Sequence, residues 1–277
     1  DLEYRSKLVN ERVLKSKSGK IDMILNHQFD DYDLAIGWHS LVSEKYDFDI
    51  NTTLAGFVYL EYHFEGKPAH AGVEPQVGIN SLDFAVDVYQ YMRKLETEYG
   101  LDNVRINPKI NDDDQLNIVS SETTLKTYVR YIDINIQSEV VKKINDFIAG
   151  LAKEKGVVVR ENHDAGYFPL IQFKPINNLF VEKTKDNYEM SVDEVLYAGG
   201  DLGDLSYLIP TVQFGYNGFK GNIHGNEFKM TDPNFVFIDS VKAFIEVISD
   251  VDTNIESYDL YKKTVEEYEA EKFKELL

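Results

Sequence analysis

The sequence predicts an α/β protein interrupted by a smaller, inserted α+β domain of ferredoxin-like type. Three observations predict it. The middle of the chain runs strand, helix, strand, strand, helix, strand, which is the order of a split βαβ sandwich. On either side of it, helical periodicity alternates with short apolar runs, as in a layered α/β unit. The pattern changes at Pro169, so residues 53–168 read as a domain inserted into a larger α/β unit made of residues 1–52 and 169–277.

Taken in order, residues 21–38 give a helix, a tight turn at Phe29-Asp30-Asp31-Tyr32-Asp33, and a short apolar strand that delivers His39 at its end. Residues 54–66 are rich in Val, Tyr, Phe and Leu, which suits a long strand, and a loop punctuated by Gly and Pro follows. Residues 81–99 place Leu82, Ala85, Val86, Tyr89, Met92 and Leu95 on one helical stripe, with Asn80 or Ser81 as its cap. Three strand-like segments come next, residues 104–110, 116–121 and 124–134, one of them an irregular or extra edge. Residues 137–154 are helical and stop before Gly156, with Lys153 and Lys155 at the negative end of the helix dipole. Residues 157–162 form another β-rich run. Beyond Pro169 the sequence predicts a helix over 176–188, a glycine-rich loop over 198–203, a strand over 211–215, a helix over 234–251, and a charged amphipathic helix over 255–277.

A chain of 277 residues with 43% hydrophobic and 13% aromatic content can bury a substantial core. Its 48 acidic and 29 basic residues leave a formal charge of -19, a field that repels phosphate backbones and anionic headgroups, so nucleic acid is not an expected partner. The best apolar run, residues 236–248, is broken by Asp239, Lys242 and Glu246, and a membrane helix needs roughly 20 apolar residues. No membrane partner is expected. The chain has no cysteine, so any metal must be held by His, Asp or Glu, and a cytoplasmic location is expected. The start, Asp1-Leu2-Glu3-Tyr4-Arg5, is charged where a secretory signal would be apolar, and reads as a cut or processed end.

Six histidines are the first candidates for chemistry. His39, at a strand end beside Asp30, Asp31 and Asp33, and His224, in the loop Gly221-Asn222-Ile223-His224-Gly225-Asn226, sit where side chains reach a cleft. They are either metal ligands or ordinary capping histidines. His70, in Gly66-Lys67-Pro68-Ala69-His70-Ala71-Gly72, either donates to a developing oxyanion or binds local backbone. His27, His63 and His163 read as structural. Asp201 and Asp204, flanking Gly203, serve either a cation or a turn. Arg130, between Tyr128 and Tyr131, is either a salt-bridge partner or a fork for a substrate carboxylate.

Taken together, these segments resemble the zinc-dependent metallopeptidase family of aminoacylases and carboxypeptidase G-type enzymes, in the amidohydrolase branch near the aminobenzoyl-glutamate hydrolases. Phe29 through His39 looks like that family's metal-ligand strand. Phe64-Glu65-Gly66-Lys67-Pro68-Ala69-His70-Ala71-Gly72, with Pro75, Gly78 and Leu82, is similar to the signature that opens its lid and dimerisation domain. Asn117-Ile118-Val119 through Arg130 has the spacing of its lid strands, with Ser120 where proline is usual. Gly200-Asp201-Leu202-Gly203-Asp204 looks like its glycine-rich loop, with Gly199 and Gly200 where Ser-Thr is common, and His224 with Glu227-Phe228 looks like its last metal ligand.

The resemblance implies a hydrolase of amide bonds in N-acyl amino acids or small peptides, with two zinc ions in the complete site and manganese or cobalt as alternatives. It implies metal ligation by His39 and His224, an oxyanion donor at His70, substrate binding by Asn117, Arg130, Gly200 and Asp201, and a homodimer or higher homo-oligomer formed through the lid domain. It also implies that the family's first metal ligands and its general-base Glu lie ahead of Asp1, since Glu3 and Glu11 lack the expected surroundings. The chain alone is therefore expected to be inactive. The rival expectation is a non-catalytic binding or dimerisation protein that keeps the fold.

Overall fold

The computed structural model describes residues 2–112 and 115–274. The chain opens with helices α1 (Leu2–Asn10) and α2 (Gly19–Leu25) and strands β1 (Ala35–Ser40), β2 (Phe48–Ile50) and β3 (Thr53–Leu54). It continues through β4 (Gly56–Glu65), α3 (Ser81–Tyr99), β5 (Val104–Ile106), β6 (Lys109–Asp112), β7 (Glu122–Tyr131), α4 (Ile134–Lys155), β8 (Val158–Glu161) and β9 (Asp164–Tyr167). The remainder is α5 (Lys174–Thr184), β10 (Met190–Val192), β11 (Val195–Leu196), α6 (Leu202–Leu208), β12 (Thr211–Tyr216), a small hairpin of β13 (Phe219–Lys220) and β14 (Lys229–Met230), α7 (Ser240–Asn254) and α8 (Val265–Lys272). Two compact units result: residues 1–54 with 170–269, and residues 55–169 with 270–277.

The first unit is built on a four-stranded sheet in the order β1-β12-β2-β10, parallel except between β12 and β2. Alternation sets its two faces. Phe48, Ile50, Val212 and Phe214 point to one side and bury themselves with Ile176 and Phe180 of α5 and Ala243, Val247 and Val251 of α7. Trp38 joins them, stacked on Tyr216 at 5.3 Å and edge-on to Phe214 at 5.7 Å. The other face carries His39, Asp49 and Gln213, with glycines at 37 and 215.

The second unit has the antiparallel order β5-β7-β4-β8, with β6 also on β7 and β9 on β4. Val58, Leu60, Tyr62 and Phe64 of β4 and Leu125 and Val129 of β7 pack beneath Phe84, Val88 and Met92 of α3 and Val141, Ile144 and Ile148 of α4. Both helices lie on this one face, so the odd-numbered residues of β4 and Lys126, Tyr128 and Arg130 of β7 share the opposite face. Helix α3 begins where Asn80 accepts from the amides of Leu82 and Asp83. Helix α4 stops at Gly156, whose φ of 73° lies in the left-handed region that glycine adopts without strain.

Two expectations fail. Residues 116–121 are not a strand, because β6 already occupies the edge of β7 there and the segment spends its backbone on the loop after β4. Val119 donates to Ala69 and Ala71 to Asn117, while Leu116 is 98% exposed. The C-terminal segment is not one helix. A single tight turn at Ile255–Ser257 is followed by extended chain, pinned where Lys263 donates to Leu208, and only then by α8. A capping box starts α8: the Thr264 amide donates to Glu267, and the Glu267 amide to the Thr264 hydroxyl. Asp1 and residues 275–277 of the expected segments lie outside the described residues. No helix among the described residues is long and apolar enough to cross a membrane.

Candidate functional site

In the first unit, β1 and β12 run parallel in a register that pairs His39 with Gly215, and Gly215 in turn pairs with Asp49 of β2. His39 and Asp49 therefore stand on one face of the sheet with a residue lacking a side chain between them. The glycine is required there, since a Cβ would lie 2.8 Å from that of Asp49. Gly37 on the same face admits Leu202, so the start of α6 presses directly on β1. His39 is exposed, and its Nδ1 lies 2.9 Å from the Ser40 carbonyl. A carbonyl only accepts, so Nδ1 carries a proton, and in the neutral ring Nε2 keeps its lone pair. That is the tautomer a metal-binding imidazole requires, with the backbone as its orienting acceptor.

Asp49 has no place among the sequence candidates. Burial raises its pKa, against the opposing hydrogen bonds from Thr52, at 2.7 Å, and Ser191. Its only signal in the sequence is a carboxylate between two core residues, Phe48-Asp49-Ile50.

His224 sits exposed in the turn of the β13–β14 hairpin. The turn is tied by the Gly225 amide to the Asn222 carbonyl at 2.8 Å and by the His224 amide to the Asn222 side chain at 3.2 Å. Glu227 folds back to accept from the Asn222 amide, which commits its carboxylate to loop closure. The hairpin follows β12 directly, so it departs from the end of the sheet at which His39 stands. Among the described residues no group of three or more His, Asp or Glu side chains is placed to hold a metal ion. A Cβ at Gly200 would lie 2.8 Å from the end of the Leu54 side chain, and Asp201 is paired with Lys20 at 2.7 Å. Asp204, fully buried, accepts from the Tyr268 hydroxyl at 2.8 Å, which makes it a structural group rather than a cation ligand.

In the second unit, the loop after β4 closes against residues 117–119 through a bridge between His70 and Ile118. This brings His70 and Asn117, both exposed, to one edge of the domain. The Gly72 amide donates to His70 Nδ1 at 3.1 Å. The ring is thereby neutral with its proton on Nε2, a hydrogen-bond donor facing outward. Arg130 lies elsewhere. Glu65 pairs with Glu122 at the His70 end of β7, whereas Arg130 pairs with Phe57 near the other end, eight residues and about 26 Å along the strand. Asn117 and Arg130 therefore stand near opposite ends of β7 within one chain. The guanidinium of Arg130 is held over the rings of Phe57 and Tyr128, at 5.6 and 5.9 Å from their centres.

Of the histidines read as structural, His63 bonds Thr124 across the sheet and pairs with Glu61 on its own strand, His27 pairs with Asp30 at 3.0 Å, and His163 accepts from the Glu61 amide at 3.3 Å.

Residues 52–156 match the family model of the peptidase dimerisation domain of M20 type. The chain is 26% identical over 203 residues to the Xaa-Arg dipeptidase of Mus musculus, covering 70% of this chain and 46% of that relative. Its fold is similar to that of a provisionally assigned aminohydrolase from methicillin-resistant Staphylococcus aureus, with a TM-score of 0.72, 14% identity, and 83% of this chain and 62% of that one covered. It is also similar to aminopeptidase PepT from Bacillus cereus, with a TM-score of 0.64, 19% identity, and 78% and 57% covered. The chain thus spans about half the length of the curated relative it matches.

Proposed function

We infer that the chain belongs with the aminoacylase and carboxypeptidase G-type metallopeptidases, whose dimerisation domain it carries, and that it serves the hydrolysis of amide bonds in N-acyl amino acids or small peptides. The observation that carries this reading is the pair of opposite Nδ1 partners, a backbone carbonyl at His39 and a backbone amide at His70, which suit a lone pair at His39 Nε2 and a proton at His70 Nε2. A metal-assisted amide hydrolase needs both, one as ligand and one as oxyanion donor.

His39 and His224 each give one nitrogen to zinc, or to manganese or cobalt in its place. When bound, two such ions lower the pKa of a water and polarise the scissile carbonyl. The Nε2 proton of His70 meets the carbonyl oxygen as that oxygen gains negative charge. The fork of Arg130 takes the carboxylate of the substrate, and Gly200 and Asp201 border the bound substrate, the latter with its charge already balanced by Lys20. Asn117 and His70 lie at the far end of the lid from Arg130, so they serve the site of a second copy in a homodimer joined through residues 52–156. A chain without cysteine suits the cytoplasm.

One histidine per metal falls short of the three protein ligands that catalytic zinc sites use, so residues 1–277 alone bind zinc weakly and turn over negligibly. Elemental analysis after dialysis tests this, and about two tightly held zinc ions per chain would refute it. Activity is tested on a full-length protein offered N-acyl amino acids and dipeptides with zinc or manganese. His39→Ala and His224→Ala should lose metal and hydrolysis together, and His70→Ala should lower kcat by about 10²–10³ with metal retained. Unchanged hydrolysis and metal content in the first two variants overturns the assignment.

A further inference from the structure

His39 and Asp49 belong to one row that crosses the whole sheet of the first unit. His39 of β1 pairs with Gly215 of β12, Gly215 with Asp49 of β2, and Asp49 with Ser191 of β10. Paired residues share a face, so the row runs imidazole, bare backbone, carboxylate, hydroxyl along one side of the sheet. The carboxylate is held in place. Thr52 donates its hydroxyl to Asp49 Oδ1 at 2.7 Å, and the Ser191 side chain bonds the carboxylate from the next strand. Oδ2 stands over Gly215, 3.5 Å from where a Cβ on that residue would lie.

An ionised carboxylate drawn partly out of water is costly unless a cation meets it. Asp49 is half-buried, and among the described residues no Lys, Arg or His forms an ion pair with it. The charge that acts on it is Glu194, a second carboxylate. His39 does not turn toward it. The amides of Ala35 and Leu41 donate to Pro210 and Tyr216, so the odd positions of β1 face β12 and the Ser40 carbonyl lies on the outer edge. By bonding that carbonyl the His39 ring leans away from Asp49. The Cα atoms of the two residues are two strand spacings apart, roughly 10 Å, with only the Gly215 backbone as the floor between them.

We propose that Asp49 binds the α-ammonium group of the substrate, so that the site takes peptides with a free amino terminus in preference to N-acylated amino acids. The proposal rests on the metallopeptidase reading, in which the scissile carbonyl lies beside the ion held at His39. The α-ammonium is carried on the carbon next to that carbonyl, which sets it over Gly215 with an N–H directed to Oδ2, a charge-assisted hydrogen bond. An N-acylated amino acid brings no cation there and leaves the carboxylate unpaired beneath it, and a site built for a polar group discriminates against analogues that lack it.

The test uses the full-length, zinc-loaded enzyme and a panel of dipeptides, each compared with the analogue that has hydrogen in place of the ammonium, such as alanyl-alanine with propionyl-alanine. The dipeptides should be favoured in kcat/KM by about tenfold or more. Asp49→Asn keeps the volume and the Thr52 contact; it should cut that preference by about tenfold or more while elemental analysis finds as much zinc as in the parent. If this variant does not fold, Ser191→Ala, which loosens the carboxylate without removing it, should still reduce the preference severalfold. Equal hydrolysis of both members of each pair, or a preference that survives these substitutions, overturns the proposal and leaves the metallopeptidase reading standing. Loss of zinc in Asp49→Asn also overturns it, since Asp49 would then be a metal ligand. Hydrolysis of neither member of any pair overturns the reading on which the proposal rests, and the proposal with it.

Discussion

His163 gives a pH-dependent contribution to stability whose sign follows from its surroundings. The side chain is 6% exposed, packs edge-on against Tyr62 at 4.8 Å, and accepts the Glu61 amide at Nδ1. Burial lowers its pKa, and the opposing carboxylates of Glu161, at 3.3 Å from Nε2, and Glu61 do not restore it. The folded chain therefore holds the ring neutral at pH values where an unfolded chain, with a histidine pKa of about 6.5, has begun to protonate it. Above that value the group makes no pH-dependent contribution; as pH falls below it, the unfolded state binds more protons and stability declines. At pH 5.5 the loss reaches up to about 1.4 kcal/mol, the limit for one unit below the unfolded pKa. His163→Phe fills the space but leaves the buried Glu61 amide without its acceptor, a cost of about 1–3 kcal/mol at pH 8. Urea unfolding followed by far-UV circular dichroism should show the parent more stable at pH 8 and the gap between parent and variant narrowing toward pH 5.5. A gap that stays constant or widens on acidification refutes the reasoning.

Other substitutions probe the elements that hold the candidate residues. Asn80→Ala removes the acceptor for two amides at the start of α3 and should cost about 1 kcal/mol, seen as a fall of about 2–4 °C in Tm by calorimetry. Phe214→Ala opens the fully buried core of the first sheet and should cost about 3–5 kcal/mol in urea unfolding. The same variant strips an edge contact from Trp38, the only tryptophan, so its emission should shift to the red in the folded state. Arg130→Met in a full-length enzyme should raise KM for a carboxylate-bearing substrate by roughly 10–100-fold, the loss of one charge-assisted bidentate contact, while a neutral amide analogue is hydrolysed equally by both proteins.

The inserted sandwich was legible because its signals are long and periodic. Residues 81–99 were predicted as a helix and form one over the same bounds, since a cap, an apolar stripe and a terminal glycine all agree there. Short elements escaped for the opposite reason. Strands such as β10 and β11, with three and two residues, carry no period to read, and α6 has only seven. The break in the C-terminal segment was present in the sequence as Thr264-Val265-Glu266-Glu267, a capping box in the middle of what was read as one helix. Residues 116–121 were misread because three apolar residues among Leu116-Asn117-Ile118-Val119 resemble a strand until their backbone partners are known. The row of His39, Gly215, Asp49 and Ser191 depends on register, which joins distant stretches of the chain and leaves no local trace.

The histidines show why residue type alone cannot assign a role. His39, His70 and His163 are chemically identical in sequence, and what separates them is the backbone group that meets Nδ1. A carbonyl at Ser40 turns His39 into a lone-pair donor, and an amide at Gly72 turns His70 into a proton donor. An amide also meets His163, but inside the fold, where the ring has no solvent and becomes a structural acceptor. Each Nδ1 partner is set by the turn or strand pairing in which the residue is fixed, so chemistry here is a consequence of local backbone geometry. The consequence is testable without catalysis: nitrogen-detected NMR should find His39 protonated on Nδ1 and His70 on Nε2 at pH 8. Finding both rings in the same tautomer would remove the observation on which the proposed division of labour rests.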